Sequence, residues 1–122
     1  MTNRVREIKH AQRESVLLRE ISNFFLRIAI DDDRLQGLQV NRVKLSADRG
    51  VCTVFFYTEK GINDFEEKRA TLVLYKPSLR NALSKTLQSR RIPELRFVYD
   101  AQFAKQRHID DLLQKLKDEG EL

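Results

Sequence analysis

The sequence predicts an α+β domain with the element order αββααβ, in which a three-stranded sheet packs on helices and one more helix follows at the carboxyl end. Three observations predict this class. Apolar residues recur with the helical period from Leu17 to Ile28, β-branched and aromatic residues crowd Val51 to Thr58, and apolar residues alternate from Leu95 to Tyr99. A chain of 122 residues is the size of one ordinary domain.

The first helix is expected over roughly residues 6 to 29. Its apolar stripe has the spacing i, i+1, i+4, i+7, i+8 and i+11, and it consists of Leu17, Leu18, Ile21, Phe24, Phe25 and Ile28. Three consecutive aspartates, Asp31 to Asp33, then end the pattern.

The next two elements are predicted to be strands that form a hairpin. In the first strand, Val43 and Leu45 face one way while Arg42 and Lys44 face the other, which is typical of a half-buried strand. A turn-forming cluster at residues 46–50 leads into the second strand, which is apolar on both faces. We therefore expect neither face of the second strand to be fully exposed to water.

Two further helices are predicted to meet at a sharp bend. Asn63 and Asp64 each precede a glutamate by three residues, the capping-box spacing of a helix start, and this helix should continue to about Tyr75. Pro77 forbids a continuous helix because it lacks an N–H and clashes with the preceding turn. Helical spacing resumes at once, at Leu79, Leu83 and Leu87.

The third strand and a tail helix complete the chain. Pro93 stands just before the alternating Leu95, Phe97 and Tyr99, where it does not interrupt a strand. A second helical stripe follows, at Ile109, Leu112, Leu113 and Leu116. We expect residues 1–104 to form one domain and residues 105–122 to form a tail helix that either docks or stays mobile.

Positive charge is concentrated in one segment. The net charge is +5 and the isoelectric point is about 9.6. Residues 76–96 contain six basic residues and a single acidic residue, Glu94, and residues 1–27 add a smaller basic excess. This asymmetry indicates a polyanionic partner, most commonly nucleic acid, although a solvated basic face that only maintains solubility is the alternative.

Three elements resemble a known family. They are Asp33-Arg34-Leu35 after a basic amino terminus and a long helix, the Val-x-Leu-Ser-x-Asp run from Val43 to Asp48, and Ile-Pro-Glu-Leu-Arg-Phe-Val-Tyr-Asp from Ile92 to Asp100. Together, over roughly residues 4 to 117, they resemble bacterial ribosome-binding factor A. The resemblance implies a KH-like fold of the second type. It also implies binding to the immature small ribosomal subunit, late processing of the 5′ end of its RNA, and a link to cold adaptation.

The single cysteine excludes an internal disulfide and favours a reducing, cytoplasmic compartment. We expect a monomer without catalytic activity or cofactor, and the resemblance implies that its partners are the small-subunit precursor and its ribosomal RNA. Dependence on other assembly factors stays open. The chain departs from the family at the bend, where an Ala-x-Gly is usual and Tyr75, Lys76 and Pro77 stand here. Proline can bend a chain as glycine can, but Tyr75 is much bulkier than alanine. Whether this kink touches RNA is therefore left open.

The candidate RNA-binding residues centre on the third helix. Lys76, Arg80, Ser84 and Gln88 recur every four residues and predict one polar, partly basic stripe, while the helix amino terminus offers N–H groups to a phosphate. The full set of candidates is Arg4, Arg6, Arg42, Lys44, Lys76, Ser78, Arg80, Ser84, Lys85, Gln88, Arg90 and Arg91. Base stacking on strand aromatics is a competing mode, but core packing explains those aromatics better. They are Phe55, Phe56, Tyr57, Phe97 and Tyr99.

Catalytic motifs are absent from the sequence. His10 and His108 lie at opposite ends of the chain, and Cys52, the single cysteine, stands in an apolar strand as a small buried hydrophobe would. Asp31 to Asp33 could hold the metal of a nuclease, but adjacent carboxylates without a distant partner cannot close a coordination sphere, so we expect no metal site. No apolar run is long enough to span a membrane, and the first fifteen residues do not resemble a cleaved signal.

A non-catalytic protein-interaction module is the alternative from a different class. In that reading the apolar tail helix, Ile109 to Leu116, docks a partner and the basic charge is incidental. Salt separates the two hypotheses, because phosphate binding weakens steeply with added salt and an apolar interface barely responds.

Overall fold

The computed structural model describes residues 2–89 and 91–120. The predicted order αββααβ and the final helix are confirmed. A short 3-10 turn, Asp33–Leu35, follows the first helix. The other elements are α1 Thr2–Asp31, β1 Gln39–Leu45, β2 Val51–Tyr57, α2 Ile62–Leu74, α3 Lys76–Leu87, β3 Glu94–Tyr99 and α4 Ala101–Asp118.

The sheet has β2 at its centre. β1 pairs with β2 in antiparallel fashion, which confirms the predicted hairpin, and β3 pairs with the other edge of β2 in parallel. The register places Leu45 opposite Cys52, and Cys52 opposite Leu95. A bulge between Val40 and Arg42 shifts the pairing at the far end of β1.

One face of this sheet is covered by α1, α2 and α3. Alternate strand residues point to that face, and the helices contribute the apolar stripes that the sequence predicts. Each fully buried leucine or phenylalanine side chain stabilises the fold by about 1.5–3 kcal/mol. The buried core consists of Leu17, Ile21, Phe25, Leu35, Leu38, Leu45, Cys52, Val54, Phe56, Phe65, Leu72, Leu79, Leu83, Leu95 and Phe97.

The predicted bend lies at Tyr75, between the last residue of α2 and the first residue of α3. The Tyr75 N–H donates to the Leu72 carbonyl at 3.0 Å, and the Leu79 N–H donates to the Tyr75 carbonyl at 2.9 Å. Pro77 stands in the first turn of α3, where its missing N–H has no intrahelical acceptor in any case. Proline therefore allows the new helix while preventing continuation of the old one.

Two helix starts differ from the predicted ones. α1 begins at Thr2, earlier than residue 6. α2 begins at Ile62 after Gly61, whose φ of 91° is a conformation that glycine adopts readily, and it has no side-chain cap. The predicted capping boxes are wrong because the Asp64 carboxylate accepts hydrogen bonds from the Thr58 hydroxyl at 2.8 Å and from Lys68 at 3.0 Å.

The tail helix α4 begins at Ala101, before the predicted residue 105. The Asp100 carboxylate accepts the Phe103 N–H at 3.1 Å and thereby caps the helix. Phe103 packs edge-on against Tyr57, with 4.8 Å between ring centroids, so the first turn contacts the domain. Further along α4 the predicted stripe is exposed, from 36% at Leu116 to 50% at Leu113.

Asp100 is only 1% exposed, less than any other charged residue that the structure describes. Arg42 donates to it from Nε at 3.0 Å and from Nη2 at 3.1 Å. Burial by itself raises the pKa of Asp100, but the hydrogen bonds from Arg42 and from the Phe103 N–H outweigh burial, so its pKa lies below the usual range. The pair joins β1 to the start of α4.

Replacing Asp100 with asparagine should destabilise the fold by about 2 kcal/mol at neutral pH, because it removes the charge that the half-buried Arg42 guanidinium binds. A carboxylate with a lowered pKa contributes stability above its unfolded pKa, and this contribution disappears as pH falls through the folded pKa. The difference between wild type and Asp100→Asn should therefore be constant above about pH 5 and shrink below about pH 4.

Urea unfolding across this pH range measures that difference. The matched control is Arg107→Gln, which breaks the exposed ion pair (2.9 Å) between Arg107 on α4 and Glu59 in the loop after β2. An exposed pair contributes at most about 1 kcal/mol. Equal destabilisation by both variants would show that the Arg42–Asp100 pair does not join these elements.

Candidate nucleic-acid interface

The outer face of α3 carries the polar stripe that the sequence predicts. Leu79 and Leu83 are buried on the opposite side of the helix. Lys76 is half-buried, with its ammonium 5.2 Å from the centre of the Phe97 ring, and Arg80 is exposed. The remaining candidates on α3 and its carboxyl end are exposed as well: Ser78, Ser84, Lys85 and Gln88.

Arg80 is exposed, and its guanidinium also binds main-chain carbonyls of the domain. Its guanidinium donates to the Pro93 carbonyl at 2.7 Å and to the Ile92 carbonyl at 3.2 Å. These bonds hold α3 against the segment that leads into β3. Because a guanidinium has five N–H donors, Arg80 keeps further donors for another acceptor.

Four arginine side chains line one cleft of about 610 Å³, which we name the arginine cleft. Arg80 and Arg91 were predicted from the sequence as RNA-binding residues. The other two, Arg13 from α1 and Arg49 from the β1–β2 turn, were not. Asp48, Gly50, Ser89, Ile92 and Pro93 complete the lining.

Arg13 had a signal in the sequence. It precedes Leu17 and Ile21 at intervals of four, so it continues the stripe of α1 that faces the sheet. Arg49 had no comparable signal, because only the packing of α1 against the hairpin brings the turn next to the helix. Arg90, another predicted residue, lies outside the described residues.

Asp48 supplies the negative charge in the arginine cleft. Its Oδ1 accepts the Ser46 hydroxyl at 2.6 Å and the Gly50 N–H at 2.9 Å. The Ser46 hydroxyl bond, followed by the Gly50 bond, holds the pKa of Asp48 below its usual range. This carboxylate is therefore committed to the turn, and the cleft keeps an excess of positive charge.

The predicted residues on β1 lie on the other face of the sheet. Lys44 is exposed there, and Arg42 is half-buried with its guanidinium 3.8 Å above the centre of the Phe55 ring. Arg42 also binds Asp100 and, at 3.4 Å, Gln102, so much of its donor capacity is used inside the protein. Arg4 and Arg6 are exposed in the first turns of α1 and do not line the arginine cleft.

The kink residues are tied to the end of α1. The Tyr75 hydroxyl donates to Asp32 Oδ2 at 2.6 Å, and Arg34 donates to both oxygens of the same carboxylate, at 2.9 and 2.7 Å. The Arg34 bonds, and next the Tyr75 bond, lower the pKa of Asp32. The bond to Asp32 raises the pKa of Tyr75. The bulk of Tyr75 is thus accommodated by a contact that locks the bend.

The strand aromatics divide between the two faces. Phe56 and Phe97 lie in the core with Tyr99 packed against them, as predicted. Tyr57 is buried as well, packed between Tyr99 and Phe103. The prediction of core packing is wrong for Phe55, which is half-buried on the opposite face beneath Arg42. Its alternation with Phe56 places it there.

Asp32 and the cysteine considered in the sequence lie in occupied or buried positions. No group of three metal-ligating side chains occurs among the described residues, and Asp32 is occupied by Arg34 and Tyr75. Cys52 is fully buried, and burial, together with the charge of Glu14, raises its pKa to about 11. None of the described helices is both long and apolar enough to cross a membrane.

The fold defines a small KH-like domain of the second type, and the arginine cleft gives it a basic face. The chain belongs to the ribosome-binding factor A family, because the sequence model of that family matches residues 9–113. It is 33% identical over 114 residues to ribosome-binding factor A of Sorangium cellulosum, covering 91% of each chain.

Solved structures agree with this assignment. The crystal structure of ribosome-binding factor A from Thermus thermophilus superposes with a TM-score of 0.63 at 29% identity, covering 74% of this chain and 93% of that chain. A solution structure from Thermotoga maritima shows the same fold, with a TM-score of 0.64 at 24% identity and coverage of 72% and 83%. The KH-like fold implied by the sequence is thus confirmed.

Replacing Tyr75 with phenylalanine should lower Tm more than the control Tyr57→Phe does, because it removes the hydroxyl that binds Asp32. A tyrosine with a raised pKa contributes stability below its unfolded pKa, and this contribution is lost as pH rises through the folded pKa. The stability difference between wild type and Tyr75→Phe should therefore shrink above about pH 10. Thermal unfolding from neutral to alkaline pH measures it, and equal Tm losses in the two variants would contradict the role of the Tyr75–Asp32 bond.

Proposed function

We propose that this protein is a cytoplasmic ribosome assembly factor that binds the immature small ribosomal subunit and its 16S ribosomal RNA without catalysing a reaction. In this proposal it assists late maturation, including processing of the 5′ end of that RNA. The single observation that carries the proposal is membership of the ribosome-binding factor A family over residues 9–113. The names of the relatives state ribosome binding for those proteins.

The charge distribution supports an RNA partner. The exposed side of α3 and the arginine cleft place basic side chains from several elements around one end of the sheet, and the net charge is +5. Lysine and arginine contacts to phosphates supply sequence-independent affinity, because binding releases condensed counterions. Such contacts position a protein on RNA without reading its sequence.

The amino terminus of α3 adds to this surface. The residue before it, Tyr75, makes no side-chain capping bond, so the first-turn N–H groups have no side-chain acceptor there. Ser78 and Arg80 stand beside these groups. The start of a helix favours an anion because the N–H groups and the helix dipole point toward it.

The charge-reversal variant Lys85→Glu, Arg91→Glu should bind small subunits at least about tenfold more weakly than wild type near 150 mM salt, because two phosphate contacts become repulsive. Arg80 is left intact, since its bonds to two carbonyls stabilise the fold. The matched control is Lys105→Glu, Lys115→Glu on α4, which changes the net charge equally. Co-sedimentation with isolated small and large subunits, from about 50 mM to about 300 mM salt, measures the effect.

Selective, salt-sensitive pelleting of wild type and control with small subunits is the expected result. Equal pelleting with both subunits would contradict specific recognition of the small subunit, and equal loss in both variants would contradict contact through α3 and the arginine cleft. The maturation role has its own readout. Cells depleted of the protein should accumulate small-subunit RNA with an unprocessed 5′ end, and the wild-type gene should restore processing.

The exposed stripe of α4 favours a second function, docking of an apolar partner surface through Ile109 to Leu116. Leu112 and Leu113 are each about half exposed. Leucines on the packed face of a helix are normally much less exposed than this. The variant Leu112→Ser, Leu116→Ser should leave the fold intact but abolish binding if this stripe makes the main contact. Salt-insensitive binding that this variant removes, and that charge reversal on α3 preserves, would favour the second function over the first.

A further inference from the structure

We propose that the arginine cleft is a dedicated binding site for one phosphate group of an RNA chain, with Arg13 and Arg49 among its ligands. This inference rests on the proposed function, since it takes RNA as the partner. It assigns to two residues outside the basic segment 76–96 a role that the family resemblance does not give them.

The cleft is assembled by tertiary structure. Arg13 comes from α1, Arg49 from the hairpin turn, Arg80 from α3 and Arg91 from the segment before β3. Four arginine residues line one cleft of about 610 Å³, so positive charge is concentrated there and a bound anion lowers the repulsion among these residues. Planar guanidinium groups match the tetrahedral oxygens of phosphate through paired N–H bonds.

Arg13 carries the clearest sign of an external ligand. Its Nε is buried and has no hydrogen-bond acceptor among the described residues. A buried donor that belongs to a charged group is expensive to leave unpaired, and nearly all such groups in proteins are satisfied. Arg13 lines the cleft, so a small movement of its side chain on anion binding would give this donor its acceptor.

Arg80 is already held in position. Its bonds to the carbonyls of Ile92 and Pro93 fix the guanidinium at the wall of the cleft. A pre-positioned arginine loses less side-chain entropy on binding than a mobile one. Arg80 therefore acts as the fixed wall against which the phosphate is held.

Arg49 adopts a conformation that arginine disfavours. Its φ is +62°, in the left-handed region, and its N–H donates to the Ser46 carbonyl at 2.9 Å to close the turn. Glycine adopts this conformation without strain, whereas an ordinary L-residue pays about 1 kcal/mol or more. A charged residue at a position that suits glycine therefore points to a task for its side chain, which lines the cleft.

The decisive variant is Arg49→Gly, because it removes the guanidinium while keeping the turn conformation that glycine favours. We expect its Tm to equal or exceed that of wild type. Its affinity for a single-stranded RNA oligonucleotide should fall about tenfold, as expected for loss of a charge-assisted contact. Arg13→Gln should cause a similar loss. The matched control, Arg27→Gln, removes an exposed arginine of α1 and should bind RNA nearly as wild type does.

A double-mutant cycle tests whether the two residues hold the same phosphate. The combined variant Arg13→Gln, Arg49→Gly should lose clearly less affinity than the product of the two single losses, because each single change already weakens the shared contact. Strictly multiplicative losses would overturn a single shared site.

Fluorescence anisotropy with labelled oligonucleotides that carry either a 5′-hydroxyl or a 5′-phosphate identifies which phosphate of the RNA is bound. Equal affinities assign the cleft to an internal phosphodiester, and a 5′-phosphate preference assigns it to the terminal group.

A ribosome-independent measurement separates this inference from the proposed function. In NMR spectra of the full chain, the Arg13 Nε–H resonance should shift and saturate on titration with inorganic phosphate, and Arg49→Gly should weaken that response. A resonance that does not move, or that moves no more than that of Arg27, would overturn the cleft assignment even if the protein binds small subunits. Saturable phosphate binding without any subunit binding would instead leave the cleft in place and reject the proposed function.

Discussion

The parallel pairing of β3 with β2 is the constraint on which the rest of the fold depends. Parallel neighbours cannot be joined by a tight turn, so the chain must cross back along the sheet between Tyr57 and Glu94. A single straight helix from Ile62 to Leu87 would be about 39 Å long. A seven-residue strand spans only about 23 Å. Because α2 and α3 meet at a bend at Tyr75, the connection from β2 to β3 is short enough to lie on one face of the sheet.

The contacts that secure this crossing also place the arginines. Glu14 accepts the Leu45 N–H at 2.8 Å, and His10 Nε2 lies 2.9 Å from the Leu45 carbonyl, so the first half of α1 is fixed beside the hairpin turn. Arg13 stands between these two anchors. On the other side, Arg80 binds the segment that enters β3. The cleft therefore follows from how the helices are attached to the sheet.

Local patterns predicted the elements because each pattern reports a local preference. The stripe of α1, the alternation of β3 and the effect of Pro77 depend on neighbours within a few residues. The failures arise from side-chain partners that the patterns do not show. Asp64 was expected to cap a helix, but its carboxylate binds Thr58, six positions earlier, and Lys68, four positions later. Alternation placed Arg42 on the outer face, but it could not reveal Asp100, 58 positions away, as its partner.

Because the cleft draws on segments that meet only after folding, phosphate binding and folding are linked. A ligand that binds the native chain and not the unfolded chain stabilises the fold, by about 2.7 kcal/mol at a hundredfold excess over Kd. Arg80 connects the two processes. Its guanidinium binds the segment that leads into β3, and the same residue lines the arginine cleft. An anion that engages its remaining donors also holds α3 against β3 and the hairpin turn against α1. If RNA phosphate occupies the cleft as proposed, the domain is most stable in the bound state, while the bond between Tyr75 and Asp32 holds the bend in both states.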